Sequence, residues 1–342
     1  KPLPLGMTML YIPRGPIMDY QNQELLQFVL TSLKQFAKTK KALFIKFDPS
    51  LFLVQAQIGE DRKEQQETLD VIQNLQKAGA IWVGRTESLD DTIQPRFQAN
   101  IYKDNFSEEL LSKSTRQAIR TARNKGIQVQ FGGKELLDDF SALMKKTENR
   151  KSIHLRGKDY YQKLLDTYPE HSYITLASID LNERLESLQA QKAKAEKEAS
   201  KFTEKTKPGK IENNKQEQKR LQEEMDFLAE KGVTTVPLSG TLVLEYGTTS
   251  ENIYAGMDEE YRRYQPALLT WYETAKHAFD RGANWQNMGG VENDLDGGLY
   301  HFKSKFNPTI EEFVGEFNLP TNPLYHLSNL AYTLRKKFRS KH

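Results

Sequence analysis

The stretch MTMLYI at residues 7–12 and the stretch ALFIKF at residues 42–47 decide the fold of the first part of the chain. Each is a short apolar run that stops at a proline or an Asp-Pro pair, and such runs are typical of buried strands. Between them, residues 22–37 place apolar side chains at intervals of three and four, which predicts an amphipathic helix. Together these segments predict a β-α-β unit.

The alternation of helices and strands continues beyond this unit. Helices are predicted at residues 64–78 and 107–125, and each ends near a glycine that leads into a further apolar strand. Residues 135–180 repeat the pattern with two helices and a strand. From residue 241 the chain reads as a β-hairpin, a long helix and a strand that ends in two glycines. The sequence therefore predicts the α/β class, with mixed sheets covered by helices.

A change of composition interrupts this pattern between about Leu181 and Lys231. Lysine and glutamate dominate there, and the tetrapeptide TKPG at residues 206–209 reads as a turn near the middle. Sparse leucines before and after this turn can face each other near the base of the segment. The pattern predicts an antiparallel coiled-coil helical hairpin whose tip is nearly all polar.

The sequence does not decide the roles of two groups of basic residues. A closing helix is predicted from about Leu324 to Arg339, and its basic end is either solvated or in contact with a phosphate-bearing or membrane surface. The predicted helix at residues 107–125 carries a second basic stripe, which either binds phosphates or is a solvated face. The members of this stripe are Lys113, Arg116, Arg120, Arg123 and Lys125.

The composition excludes several classes of protein. The chain has 342 residues, 28% of them charged, and it contains no apolar run long enough for a transmembrane helix. At 37% hydrophobic residues it is also too apolar for a disordered chain. The absence of cysteine excludes disulfides, thiol nucleophiles and thiolate metal sites. The net charge of +3 permits an anionic partner. Since the chain begins at Lys1 with neither an initiator methionine nor a signal segment, it is expected to be part of a longer protein.

Common catalytic and cofactor-binding motifs are missing from the sequence. No two of the six histidines have the i, i+4 spacing of helical metal ligands, and no phosphate-binding P-loop, dinucleotide fingerprint or serine elbow occurs. The order strand, hairpin, long helix and strand also suits an acyl-CoA transferase. However, residues 255–266 lack the glycine pair that would let the backbone approach a diphosphate, so CoA is disfavoured. We therefore expect neither a cofactor nor a metal.

Four segments occur in the same order as in one known family. They are YIPRGPIMDY at residues 11–20, FIKFDP at residues 44–49, the lysine-rich hairpin, and DGGLYHFKSKFN at residues 296–307. On these segments the chain resembles the Fem family of non-ribosomal peptidyltransferases, which includes FemA, FemB and FemX, and it is most similar to the streptococcal members MurM and MurN. The resemblance covers essentially the whole chain.

The resemblance implies a domain organisation. It implies two acetyltransferase-like (GNAT-like) domains with mixed sheets, and places the hairpin as an insertion in the second. The expected first domain covers residues 1–134 and lacks the N-terminal strands with which family members usually begin. The second covers residues 135–180 and 232–320, the hairpin arm covers residues 181–231, and a basic C-terminal helix covers residues 321–342.

The resemblance also implies catalytic residues. The catalytic Phe-Lys pair of the family matches Phe302 and Lys303, and an acidic position at a strand end matches Asp48. Lys303 would place positive charge at the developing oxyanion or at the tRNA terminus, and Asp48 would hold the attacking amine or accept its proton. From the residues alone, Lys303 can also be a surface lysine, and Asp48 a turn aspartate that caps the next segment. Asp19 is a weaker acidic alternative.

Substrate-binding residues follow from the same comparison. Family members bind the precursor with an arginine and a tyrosine four residues apart, which match Arg156 and Tyr160, and with a strand tyrosine that best matches Tyr254. If helical, the first two share one face and could clamp a phosphate or carboxylate. The alternative is an arginine at a helix start beside a buried tyrosine.

The resemblance implies an aminoacyltransferase. It would move an amino acid, with alanine or serine favoured over glycine, from aminoacyl-tRNA to the stem-peptide lysine or growing branch of the lipid-linked peptidoglycan precursor. The expected partners are thus aminoacyl-tRNA and a precursor at the inner membrane leaflet, and the expected location is cytoplasmic and peripheral to that membrane. The alternatives are a non-catalytic tRNA-binding or scaffolding protein and an ordinary CoA acyltransferase.

Overall fold

The computed structural model describes residues 1–3, 6–232, 234–326 and 329. The chain divides into two compact units. The first unit combines Lys1–Tyr102 with Asn287–His342, and the second is the continuous segment from Lys103 to Gln286. The first unit is therefore built from both ends of the sequence.

Strands and helices alternate along much of the chain. The strands are β1 (Thr8–Ile12), β2 (Ala42–Phe47), β3 (Phe52–Gln57), β4 (Ile81–Trp82), β5 (Phe97–Tyr102), β6 (Gln128–Gly132), β7 (Ser172–Asp180), β8 (Thr235–Tyr246), β9 (Thr249–Met257), β10 (Trp285–Gly290), β11 (Thr309–Phe313) and β12 (Phe317–Pro320). The helices are α1 (Gln23–Thr39), α2 (Gln66–Lys77), α3 (Lys113–Asn124), α4 (Leu137–Lys151), α5 (Lys158–Thr167), α6 (Leu181–Ala199), α7 (Pro208–Ala229), α8 (Pro266–Asp280) and α9 (Gly298–Lys303). The predicted α/β class is confirmed.

The first sheet of the first unit has the strand order β1-β2-β12-β4. β1 and β2 pair in parallel, as the predicted β-α-β unit requires, and β12 pairs antiparallel to both β2 and β4. The crossover helix α1 begins where the Asn22 side chain accepts a hydrogen bond from the N–H of Leu25 at 3.0 Å. Its apolar stripe packs into a core that includes Leu30, Phe47 and Phe317.

The second group of strands in this unit centres on β11. It pairs antiparallel with β3 on one side and with β5 on the other, and β10 follows β5 in the strand order. The sequence patterns did not predict β3, β5, β11 or β12. Each of these strands is short, and its hydrogen bonds join residues that lie far apart in the chain, for example Glu311 and Gln55. Such long-range pairing has no local periodicity to reveal it.

The second unit contains an antiparallel sheet in the order β9-β8-β7-β6, and its β8–β9 hairpin is confirmed as predicted. Helices cover both faces of this sheet. A side chain at Gly240 would meet Phe140 of α4, whereas the neighbouring Thr241 hydrogen-bonds Thr274 of α8 at 3.0 Å. Since successive residues of a strand point to opposite faces, α4 and α8 lie on opposite sides.

Helices α6 and α7 occupy the predicted arm. Contacts along α6 meet α7 in reverse order, which shows that the helices are antiparallel; these contacts are Arg184–Glu224, Lys192–Gln222 and Ala195–Asn214. Leu188, Leu221 and Leu228 are buried along them. The coiled-coil packing of this arm stays a prediction.

The compact units divide the chain at other residues than the sequence suggested. Residues 103–134 belong to the second unit, because α3 packs against α8 and β6 pairs with β7. Residues 287–320 belong to the first unit, because β11 and β12 pair with its strands. Most of the predicted C-terminal helix falls outside the described residues. In the part of the chain that is described, no helix is both long and apolar enough to cross a membrane.

Candidate active site

Asp48 lies directly after β2 and is 2% exposed. Its carboxylate accepts hydrogen bonds from the backbone N–H of Arg14 at 2.7 Å and from the hydroxyl of Tyr11 at 3.0 Å. Arg14 adopts a left-handed backbone conformation with φ of 48°, and its guanidinium donates to the carbonyl of Pro95 at 2.9 Å. Asp48 therefore holds the loop that follows β1 and does not cap the segment after it.

The environment of Asp48 increases the proton affinity of its carboxylate. Burial raises the pKa of the Asp48 carboxyl above its ordinary value, and the hydrogen bonds from Arg14 and Tyr11 offset this only in part. By contrast, the weaker candidate Asp19 accepts a hydrogen bond from the N–H of Gln21 at 2.9 Å, as a turn residue does. Of the two aspartates, Asp48 is the buried one, and Asp19 is exposed.

Lys303 ends α9 and is buried, with 5% of its surface exposed. Its ammonium donates a hydrogen bond to the carbonyl of Gly290 at 2.7 Å. A Cβ atom at the neighbouring Gly289, which has a φ of 83°, would lie 3.5 Å from the ammonium nitrogen. The reading of Lys303 as a surface lysine is therefore wrong, and Lys305, two residues further on, is the exposed one.

Glu292 fixes the start of the short helix that carries Lys303. Its carboxylate accepts the N–H of Leu299 at 3.0 Å and that of Tyr300 at 2.9 Å, which are orphan donors of the first turn of α9. Burial alone would raise the pKa of Glu292, but these N–H groups and the charge of Lys303 outweigh it and lower that pKa. Phe302, beside Lys303, is half-buried, and its ring lies 5.7 Å from that of Phe306.

The three predicted substrate-binding residues meet in the second unit. The guanidinium of Arg156 lies over the ring of Tyr160, 5.1 Å from its centre, and the rings of Tyr160 and Tyr254 lie 6.3 Å apart. Burial raises the pKa of Tyr254, and the neighbouring Tyr160 raises it further. Tyr160 is 40% exposed, so this group forms an accessible patch of one cation and two hydroxyls.

The helical reading of Arg156 is corrected by the structure. Helix α5 begins at Lys158, so Arg156 lies in the preceding loop and does not share a helix face with Tyr160. The guanidinium of Arg156 nevertheless lies over the ring of Tyr160, because the two residues are close in the chain and the arginine side chain is long. The predicted neighbours are thus correct although the predicted geometry is not.

The basic stripe on α3 is mostly engaged within the protein. Arg116 donates to two backbone carbonyls, and Arg123 pairs with two glutamates, each at 2.9 Å. Lys125 lies with its ammonium 3.9 Å from the ring centre of Tyr264, and burial lowers its pKa to about 8. These three side chains are engaged in contacts within the protein. This contradicts the alternative in which the whole stripe binds phosphates.

Comparison with known proteins decides the family. The model of the FemAB family matches residues 1–333. A lipid II:glycine glycyltransferase of Staphylococcus epidermidis is 30% identical over 342 aligned residues, which cover 94% of this chain and 79% of that protein. The enzyme of the same name from Staphylococcus aureus is 30% identical over 349 residues, with 94% and 80% covered. This chain belongs to the FemAB family.

A solved FemAB-type structure has the same fold. The crystal structure of FemX superimposes with a TM-score of 0.70 at 27% sequence identity, and the match covers 96% of this chain and 84% of that one. The resemblance that the four sequence segments indicated is therefore confirmed. The predicted site residues of this FemAB chain divide between the compact units: Asp48, Phe302 and Lys303 belong to the first, and Arg156, Tyr160 and Tyr254 belong to the second.

Sequence reasoning missed the residues that contact the candidate catalytic residues of this FemAB chain. Tyr11 and Arg14 lie within a segment that carried the family resemblance, but only the fold shows that both donate to Asp48. Glu292 had no signal beyond its position shortly before the glycines of α9. Among the described residues no group of three acidic, histidine or cysteine side chains could hold a metal ion.

Proposed function

We propose that this protein transfers an amino acid from aminoacyl-tRNA to the stem-peptide lysine, or to the growing branch, of the lipid-linked peptidoglycan precursor. It is an aminoacyltransferase of the FemAB family, and the relatives that resemble it along its length are glycyltransferases that act on lipid II. The observation that supports the proposed site best is the buried ammonium of Lys303, held beside a glycine that leaves space next to it.

The reaction requires a positive charge where negative charge develops. The amine nitrogen attacks the carbonyl carbon of the ester, the new C–N bond forms, and the C–O bond to the ribose breaks. The proton lost by the amine is gained by the ribose oxygen. In this proposal Lys303 stabilises the oxyanion of the tetrahedral intermediate, since a charge in a buried site acts through a lower effective dielectric constant than in water.

Asp48 and the second-unit patch complete the proposal. Asp48 accepts the proton of the attacking amine, because an ionised carboxylate with a raised pKa is a better proton acceptor. Arg156, Tyr160 and Tyr254 hold the precursor, since a guanidinium with two neighbouring hydroxyls offers the donors that phosphate or carboxylate oxygens need. Because this precursor is membrane-anchored, the proposed reaction takes place at the cytoplasmic face of the membrane.

The first test removes the charge of Lys303. The protein is incubated with a lysine-containing lipid-linked precursor and, in parallel, radiolabelled alanyl-, seryl- and glycyl-tRNA. We expect transfer by the wild type to fall by roughly 100-fold or more in Lys303→Met, which keeps the volume of the side chain but removes its charge. Alanine or serine is the proposed donor residue, and the glycyl arm tests the alternative that the staphylococcal relatives suggest.

The matched control is Lys305→Met, which removes an exposed lysine two residues away. Its transfer rate should stay within about twofold of the wild type. Equal rates for Lys303→Met and the wild type would refute the role of Lys303. A wild type that transfers none of the three amino acids, but binds tRNA, would favour the non-catalytic tRNA-binding alternative.

A further inference from the structure

The loop that presents Arg156 is held to the end of α4 by one residue, Glu148. The backbone carbonyl of Glu148 accepts the N–H of Ile153 at 3.3 Å, directly after the left-handed Ser152 ends the helix with a φ of 52°. Its side-chain carboxylate contacts His154 Nδ1 at 3.2 Å with one oxygen. The other oxygen accepts a hydrogen bond from Lys145 Nζ at 3.1 Å.

These contacts leave Arg156 without an acidic partner among the described residues. One carboxylate oxygen of Glu148 contacts Lys145 and the other contacts His154, and the next cation along the chain, Lys158, pairs with Asp138. The guanidinium of Arg156 lies over the ring of Tyr160 and is hydrogen-bonded to the side chain of Tyr254. The acidic side chains near the loop therefore pair with residues on either side of Arg156 and do not neutralise the arginine.

The same residues line a cleft. Glu148, His154, Leu155 and Arg156 border a cavity of about 500 Å³ between α4 and the loop. Leu155 packs against the hydrophobic core of the unit, so the loop is held on its inner side by apolar contact and on its outer side by Glu148. The hydrogen bond from Lys145 and the charge of that lysine lower the pKa of Glu148, so its carboxylate is ionised at neutral pH.

We infer that Glu148 is a positioning residue for acceptor binding: it fixes the loop of residues 152–157 so that the guanidinium of Arg156, which has no acidic partner among the described residues, faces the precursor. This inference rests on the proposed role of Arg156 and assigns it a partner on another element. It predicts that the two residues act as a unit, since in this inference Glu148 acts on the acceptor by positioning the arginine.

The test is a double-mutant cycle on acceptor binding and turnover. Titration calorimetry with a short-chain, lysine-containing analogue of the lipid-linked precursor measures the Kd without an aminoacyl donor. We expect Glu148→Gln to raise this Kd and the acceptor KM by roughly five- to tenfold while kcat changes by less than about twofold. In an Arg156→Ala background, Glu148→Gln should have no further effect on the Kd.

Asp139→Asn is the matched control, because it makes the same chemical change on an exposed residue of α4. It should leave the Kd and KM unchanged. Thermal melting compares the folding of all variants, and Glu148→Asp, which keeps the charge on a shorter stem, should restore part of the affinity. If Glu148→Gln raises the Kd equally with and without Arg156, or lowers only kcat, the inference is overturned.

The outcomes for the wild type separate this inference from the proposed function. Binding of the analogue without any transfer would contradict the proposed chemistry but leave the binding cycle as a full test of Glu148. Absence of binding by the wild type would mean that Arg156 does not hold this acceptor, and the inference would fall with it.

Discussion

At the scale of single residues, burial distinguishes the candidate catalytic groups from ordinary surface charges. Lys303 and Asp48 are ionisable side chains with 5% and 2% of their surface exposed, and both are hydrogen-bonded to backbone groups of this chain. Removing charged groups from water is costly unless they are paired or hydrogen-bonded. Because Lys303 and Asp48 are buried and hydrogen-bonded, they are stronger candidates for a functional role than the solvated lysines and aspartates nearby.

The raised pKa of Asp48 predicts how stability depends on pH. A carboxyl with a higher pKa in the folded state than in the unfolded state binds its proton more tightly when folded, so folding is favoured on acidification. That stabilisation is fully present below the ordinary aspartate pKa of about 4 and is lost as the pH rises through the raised value. Relative to Asp48→Asn, the wild type should therefore gain free energy of unfolding between neutral pH and about pH 4.

Urea denaturation of both proteins at a series of pH values measures this difference. Asp19→Asn is the matched control, because it makes the same chemical change at an aspartate that lies in an exposed turn. A stability difference between the wild type and Asp48→Asn that is independent of pH would show that the two states bind the proton of Asp48 equally.

At the scale of secondary-structure elements, α9 depends on a residue outside it. This helix has six residues, too few to be stable alone, and Gly297 at its N-cap offers no side chain to satisfy the first N–H groups. Glu292 supplies that function from the segment after β10. The orientation of Lys303 at the other end of α9 therefore depends on a carboxylate eleven positions earlier in the sequence.

We expect Glu292→Gln to lower the free energy of unfolding by about 1 kcal/mol at neutral pH, as loss of a helix cap does. Because the pKa of Glu292 is lowered in the folded state, its contribution is present above the ordinary glutamate pKa and is lost as the pH falls through the lowered value. Urea denaturation at pH 7 and pH 3 checks both statements. Asp296→Asn, a change at an exposed residue of the same loop, should alter stability much less.

At the scale of the whole molecule, the order of the chain does not match its compact units. β12 lies between β2 and β4, and β11 lies between β3 and β5, so strands from the end of the sequence occupy the middle of the first unit. Phe317 and Leu319 of β12 are fully buried in its core. The first unit thus cannot be completed until the second has been synthesised.

This arrangement predicts how fragments behave. A fragment of residues 1–134, the domain expected from the sequence, should show no cooperative thermal unfolding. It lacks β11 and β12, each of which lies between two of its strands. A fragment of residues 103–286 should unfold cooperatively, since its sheet and its covering helices are contiguous in the chain. Circular dichroism melting curves of the two fragments give the comparison. Cooperative unfolding of the first fragment would contradict the role assigned to β11 and β12.

The sequence alone determined the local elements and the family. Local sequence patterns predict α1, β1, β2 and the polar arm, because each pattern depends only on residues that are close together in the chain. These elements can therefore be predicted without knowledge of the fold. The four family segments likewise indicated the FemAB relationship, and the predictions for Asp48 and Lys303 lie within them. What only the tertiary structure decided were the pairings over more than 200 residues: the positions of β11 and β12 and the boundaries of the units. The burial of Lys303 and the contacts of Glu148 with its loop also belong to this group, because burial and hydrogen bonding depend on which segments meet in space, and no local pattern of side chains specifies that.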